Sequence, residues 1–243
     1  MELKKYWAKQ KPFQSIYTHS IVTGTIEKLL FESYISTKEK RHIAELLGLT
    51  VKESAKLLGY LASLHDIGKF HISFQCSDKE AAKQFNIDSQ QEKIIRSLNY
   101  RHELSGKIML RRLWEEQGQS EDAADIFSEI IGSHHPKETG QGSHTKDLNY
   151  HNACEAFERD MRVLFLGIDV RKHNLPGIVF EYEKELKTKL INLLIFANDI
   201  ASTKDFADAE DWITDRDSTD KIAEKLEAWL HPRVAKKFEL AAV

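Results

Sequence analysis

The stretch from Tyr60 to Gln75, YLASLHDIGKFHISFQ, sets the hardest condition on how this chain can fold. A helical segment over 51–65 carries Ala55, Leu58, Ala62 and His65 on one stripe, so an imidazole is delivered to the buried face, and Asp66 follows it directly. Thr50 with Glu53 fits a capping box at the start of that helix, and Gly68 suits a left-handed cap that stops it. Adjacent His and Asp offer a metal one neutral nitrogen and one or two anionic oxygens, and each oxygen of an Asp can take its own ion. A solvated helix end is the usual explanation of a lone His-Asp pair. The rest of the chain decides between the two.

Residues 1–15 are polar and mixed, with Tyr6, Trp7 and Phe13 as anchors onto the body. Thr18 fits the N-cap of a first helix, on which His19 shares a face with Val22, Ile26 and Leu30. Residues 39–48 are helical in pattern, and 70–99 are broken, reading as loop and short helices over the site. From Arg101 to Glu116 the pattern resumes with His102, Gly106, Met109 and Leu113 on one stripe. Gly106 weakens a helix by about 1 kcal/mol relative to Ala, which predicts a close approach by another element. Over 121–135, His134 ends the stripe of Ile126 and Ile130, and His135 ends that of Phe127 and Ile131; Pro136 then stops the helix. Residues 136–150 read as a loop, placed where a lid or substrate entry would be. A long helix over about 179–203 spaces Ile191, Ile195 and Asp199 by four, which predicts Asp199 facing the core, and the tail is helical through Ile222, Leu226 and Trp229. No repeat or linker interrupts this, so the expectation is one all-α domain over residues 1–243.

Four Pro and eleven Gly in 243 residues also favour long helices. With 35 Lys and Arg against 38 Asp and Glu, the net charge of -3 argues against a freestanding, high-affinity DNA binder, though not against a nuclease handed its substrate. Cys76 and Cys154 have no metal or redox spacing and read as reduced thiols. No signal-peptide core or membrane-length apolar run is present, so the expected location is cytoplasmic, without a membrane partner.

Collected in order, the inward or helix-end groups are His19, His65, Asp66, His102, His134, His135 and Asp199. Five histidines and two aspartates from separate segments are hard to bury unless they bind something. Imidazole and carboxylate without thiolate suit divalent Mn, Fe, Co, Ni or Zn. Seven ligands with one bridging Asp are enough for two ions about 3.5–4 Å apart, the arrangement of many phosphoesterases.

The order H…HD…H…HH…D, with Ile67-Gly68-Lys69 after the pair, resembles the HD superfamily of metal-dependent phosphohydrolases. Within it, His65-Asp66-Ile67-Gly68-Lys69-Phe70 with Phe74-Gln75 is similar to the HD nuclease domain of the type I CRISPR helicase–nuclease. Tyr6-Trp7-Ala8-Lys9 resembles that family's opening, Gly132-Ser133-His134-His135 its double-His motif, and Ala197-Asn198-Asp199-Ile200-Ala201-Ser202 its final Asp motif. The resemblance implies a compact all-α HD-domain bundle around a dinuclear metal site. One ion would be held by His19, His65, Asp66 and Asp199, the other by Asp66, His102, His134 and His135. Asp66 and Lys69 would be catalytic, with Lys69 and Ser202 against a substrate phosphate. Arg96, Arg101, Lys107, Arg111 and Arg112 fit either a phosphate track or a solvated charged helix face. The implied activity is two-metal hydrolysis of single-stranded DNA, the ions activating a water and polarising the phosphate. The rival readings are an HD phosphohydrolase acting on a nucleotide or cyclic nucleotide, and a metal-stabilised interaction module without catalysis. The implied partners are a helicase domain or subunit and an RNA-guided surveillance complex. The chain itself has no GxxxxGK[ST] phosphate loop.

Overall fold

Ser15, not Thr18, opens the first long helix. Ser15 is extended and its hydroxyl accepts from the Thr18 amide at 3.1 Å, so the cap of α1 (Ile16–Leu29) lies three residues before the expected one and Thr18 is buried within the first turn. The computed structural model describes residues 3–85, 87–97, 100–135, 148–167, 174–178, 180–213 and 218–241. Most of the expected lid, 136–147, lies outside these residues.

Helix α1 is the axis of the bundle and is buried along nearly its whole length. Around it pack α3 (Val51–Ser63), α10 (Glu183–Ala201) and α12 (Ser218–Ala241). The crossing with α3 is a backbone contact: a Cβ on Gly24 would fall 2.4 Å from the Gly59 carbonyl oxygen and 2.6 Å from the Phe165 ring. Helix α2 (Thr37–Leu47) is capped by Ser36 and closed by left-handed Gly48, and α3 has the expected Thr50/Glu53 capping box. After α3 come a tight turn, a 3₁₀ turn at Ile67–Phe70, and the short helices α4 (Ile72–Gln75), α5 (Lys79–Ala82) and α6 (Ser89–Ser97). The consecutive helices α7 (His102–Glu116) and α8 (Glu121–Gly132) pack together, with α7 also against the 3₁₀ turn. Helix α9 (Leu148–Leu166) then lies on α3 and on that turn, in a stretch whose helical pattern the sequence reading passed over. A buried network of Tyr60, Glu158, Arg162, Gln117 and Trp114 ties α3, α7 and α9, with Arg162 Nε donating to Glu158 Oε1 at 2.8 Å. The short α11 (Ala209–Trp212) precedes α12, and its Glu210 accepts the Ser15 amide at 2.8 Å.

The N-terminal segment departs from the all-helical pattern. Strands β1 (Trp7–Gln10) and β2 (Phe13–Ser15) pair antiparallel as a small hairpin. Tyr6 and Trp7 are buried as expected, whereas Phe13 is exposed at the hairpin tip. Among the described residues no helix is long and apolar enough to cross a membrane.

Gly68 also acts differently from the expected left-handed cap. It lies inside the 3₁₀ turn, and the described glycines with positive φ are Gly48, Gly118 and Gly167. What requires glycine at 68 is space: a Cβ there would fall 1.8 Å from the His102 carbonyl oxygen and 2.8 Å from the Gly106 amide nitrogen. Gly106 is the other half of this approach, its own Cβ direction pointing at the Gly68 nitrogen 3.2 Å away. Gly68→Ala should therefore force the turn off α7 and cost about 3 kcal/mol or more. Gly48→Ala, in open space at φ 63°, should cost only about 1–2 kcal/mol for its backbone conformation. Urea unfolding of both variants checks this, and equal losses would refute the steric account.

Candidate metal centre

Four segments deliver imidazoles to one place. His19 comes from the first turns of α1, His65 from the turn after α3, His102 from the first position of α7, and His134 and His135 from the two residues beyond the C-cap side of α8. Ring centroids step from His19 to His65 (5.2 Å), His65 to His134 (5.1 Å), and His134 to His135 (4.3 Å), with His102 within 5.6 Å of His134 and 5.2 Å of His135. Two sets emerge, His19 with His65 and Asp66, and His102 with His134 and His135, the ligand atoms of each lying within 4.8 Å of one another.

Asp66 sits between them. Its Oδ2 faces His19 Nε2 at 3.6 Å and His65 Nε2 at 3.3 Å, while its Oδ1 faces His102 Nε2 at 3.2 Å and His134 Nε2 at 3.9 Å. The carboxylate is 1% exposed. Burial alone would push its carboxyl up, but His65, Lys69 and His102 hold it well below the ordinary carboxylate range, so it is ionised. Burial lowers the His19 and His134 imidazoles well below the ordinary value, and burial together with His102 lowers that of His135. These rings are therefore neutral near pH 7, the form that ligates.

The arrangement fits a metal on its unsatisfied atoms. The Nε2 atoms of His65, His102 and His134 are buried and have no well-directed hydrogen bond, although each stands close to an Asp66 oxygen. Their tautomers are fixed from behind. His65 Nδ1 donates to the Ala62 carbonyl at 2.8 Å and His134 Nδ1 to the Ile131 carbonyl at 2.6 Å, because a carbonyl can only accept. In the neutral ring each Nε2 then presents a lone pair to the centre. His102 is backed instead by Glu103, whose Oε2 is 3.4 Å from His102 Nδ1. Sequence reasoning missed Glu103, and its adjacency to His102 gave no signal beyond a charged first helical turn.

Lys69 is buried and its Nζ is 2.7 Å from Asp66 Oδ2, with the Phe74 ring 5.2 Å away. The N-terminal hairpin holds this lysine's loop: the Gln75 side chain donates to the Trp7 and Lys69 carbonyls and accepts from the Trp7 amide, at 3.0, 2.7 and 3.1 Å. Phe74 packs between Trp7 and His102, tilted against the first and edge-on to the second, with ring centroids at 4.5 and 5.4 Å. Lys9, another residue the sequence reading passed over as a site group, is lowered to about 8 by burial and by Lys69, against the pull of Asp66. The expected phosphate track is largely engaged elsewhere. Arg101 pairs with Glu103, Arg111 with Glu115, Glu121 and Asp125, and Arg112 with Glu116, while the side chain of Arg96 lies outside the described ones.

The structure does not turn Asp199 inward. Its side chain is exposed, and Ile191 and Ile195, from which its direction was read, are only half-buried. The buried stripe of α10 runs through Leu186, Leu190 and Leu194, and four residues on it reaches Asn198. Asn198 Oδ1 stands 3.2 Å from His19 Nε2. Ser202 is exposed at the rim, its hydroxyl 3.4 Å from the same amide oxygen.

A family model described as "Cas3, HD domain" matches residues 7–207. Comparison with curated proteins gave no match. Among solved structures, Cas3 of T. fusca aligns with TM-score 0.69 at 16% identity, over 95% of this chain and 27% of that one. A structure titled "CRISPR RNA-guided surveillance complex, pre-nicking" aligns with TM-score 0.71 at 17% identity, over 96% of this chain and 29% of that one. The Thermus thermophilus Cas3 HD domain, solved in the presence of Ni2+, aligns with TM-score 0.68 at 19% identity, over 95% and 89% of the two chains. The likeness to these structures is one of fold, and the chain spans about a quarter of the length of the first two.

The depressed imidazoles predict how the metal-free protein responds to acid. The unfolded chain takes up protons at these rings from the ordinary histidine value downward, while the folded chain resists, so stability present above that value is lost as pH falls through the folded values. Urea unfolding in chelator at pH 8, 6.5 and 5 should show this loss, and His134→Gln should reduce it. An unchanged pH slope in that variant would show that the ring does not titrate as described.

Proposed function

Because the chain belongs to the Cas3 HD-domain family, we propose that it is a metal-dependent nuclease cutting single-stranded DNA in type I CRISPR interference. The observation that carries this reading is the Asp66 carboxylate, which turns one oxygen toward His19 and His65 and the other toward His102 and His134. In this reading His19, His65 and Asp66 hold one divalent ion, and Asp66, His102, His134 and His135 the other. When bound, such a pair supplies a nucleophilic hydroxide at neutral pH and Lewis-acid polarisation of the phosphate.

The chain's own groups do the rest. The Ala62 and Ile131 carbonyls hold protons on Nδ1 of His65 and His134, keeping their Nε2 atoms free to ligate. Lys69, anchored by Gln75 and Trp7 through its own backbone, places a cation beside Asp66, where an incoming phosphate oxygen would meet it. Lys9, brought to the same side by β1, adds a second cationic donor there. His135 is exposed at the open edge of the set, which gives a strand access from solvent. Ser202, on the exposed rim, is a second contact for the strand. Arg101, paired with Glu103 behind His102, acts in this reading as a positioning residue.

Residues 1–243 would act as one nuclease unit in the cytoplasm. A helicase, as a further part of the polypeptide or as a separate subunit, would feed it the strand that an RNA-guided surveillance complex has displaced. The charge supports delivery: 35 basic against 38 acidic residues leave little of the counterion release that drives autonomous DNA binding.

Asp66→Ala should abolish binding of both ions and lower cleavage of circular single-stranded DNA by about three orders of magnitude, roughly 4 kcal/mol in barrier. Chelated protein should be inactive and recover with Mn, Co or Ni. Undiminished cleavage by Asp66→Ala would refute the metal assignment, and turnover of cyclic nucleotides in preference to DNA would favour the nucleotide-hydrolase reading. Direct binding of metal-free protein to single-stranded DNA at physiological salt should be weak, and nanomolar affinity would refute delivery by a partner.

A further inference from the structure

We infer that Asn198 is a ligand of the ion held by His19, His65 and Asp66, through its amide oxygen, and that Asp199 is not. The inference rests on the metal-nuclease reading and adds to it the donor that the acidic residue next in sequence does not provide.

Position is the first ground. Leu186, Leu190 and Leu194 form the buried stripe of α10, and the same four-residue step carries Asn198 to the His19 face of α1. Asp199 is rotated by one residue, about 100° around the helix, and points to solvent. Distance is the second. Asn198 Oδ1 lies 3.2 Å from His19 Nε2, and that same nitrogen is 3.6 Å from Asp66 Oδ2. Donor atoms bound to one ion at about 2.1 Å sit roughly 3 Å apart, so these atoms have the spacing of neighbouring ligands. His19 Nδ1 is buried without a hydrogen bond, so in the metal-free fold the ring proton is on Nε2, donated to the amide oxygen. For His19 to ligate through Nε2 the ring proton would move to Nδ1, freeing the Nε2 lone pair beside the amide oxygen.

The chemistry of the donor set then follows. Two imidazoles, one carboxylate and one amide oxygen bring a single negative charge, and Lys69 offsets part of it from 2.7 Å. An amide oxygen is a hard but neutral donor, and ligand charge count is a main control on the affinity of oxygen-rich sites. The site should therefore hold hard ions such as Mn2+ weakly and rely on its imidazoles for Ni2+ or Co2+.

Calorimetric titration of chelator-stripped protein with Mn2+ tests this without reference to activity. Asn198→Asp, nearly identical in shape, should tighten at least one binding event by about tenfold or more. Asn198→Ala should weaken the same event, and Asp199→Asn should leave every event at its wild-type value. Circular dichroism and thermal unfolding in chelator establish that each variant is folded. No change in Asn198→Asp, or a loss in Asp199→Asn matching that in Asn198→Ala, would overturn the assignment while leaving the metal reading intact. A wild-type protein that takes up neither Mn2+ nor Ni2+ would overturn both.

Discussion

Burying the Asp66 carboxylate is the constraint on which the rest of this molecule depends. At 1% exposure a carboxylate would normally take up a proton, yet here the surrounding imidazoles and Lys69 keep it charged. Each compensating group reaches it from a helix or helix end that could not move far without exposing it. The path of the bundle can be read from that requirement. Helix α1 lies against α3 closely enough for Gly24 to touch Gly59, bringing His19 beside His65. Helix α7 begins hard against the 3₁₀ turn, bringing His102 to the other carboxylate oxygen.

The N-terminal hairpin belongs to the same construction. Tyr6-Trp7-Ala8-Lys9 and Phe74-Gln75 are separate in sequence, but Gln75 joins them by its hydrogen bonds to Trp7 and to the Lys69 carbonyl. Phe74, held between Trp7 and His102, extends that clamp to the second set of histidines. A segment that looks peripheral by its polar composition thus fixes the loop on which the buried lysine sits.

How much of this was legible in the sequence follows from what periodicity can and cannot resolve. His65, His102 and His134 could be found because each ends or begins a strongly apolar stripe, and the Thr50/Glu53 cap because it depends on local chemistry alone. Gly106 was readable as a close approach, but its counterpart Gly68 was misread as a cap, since sequence shows that glycine is needed without showing whether space or backbone angle needs it. Asp199 failed for a sharper reason. The Ile191–Ile195 stripe and the Leu186–Leu190–Leu194 stripe lie side by side on α10, and only burial shows which faces inward. A search for charged or imidazole donors also passes over a neutral amide such as Asn198. The hairpin was too short to show alternation, and Glu103 and Lys9 join the site through tertiary placement that no spacing encodes.

The hydrogen bonds behind His65 and His134 have one more consequence. Each ring donates to the carbonyl three residues earlier, in the closing turn of the helix that precedes it. That carbonyl is available at the right angle only while the turn is wound. If the end of α3 or α8 frays, the imidazole loses more than its position: its proton is no longer held on Nδ1 and can migrate to Nε2, occupying the lone pair a metal would use. Helix winding at these two ends is thereby converted into proton placement, so that a purely mechanical disturbance of the backbone registers as a change in which ring nitrogen faces the centre without a proton.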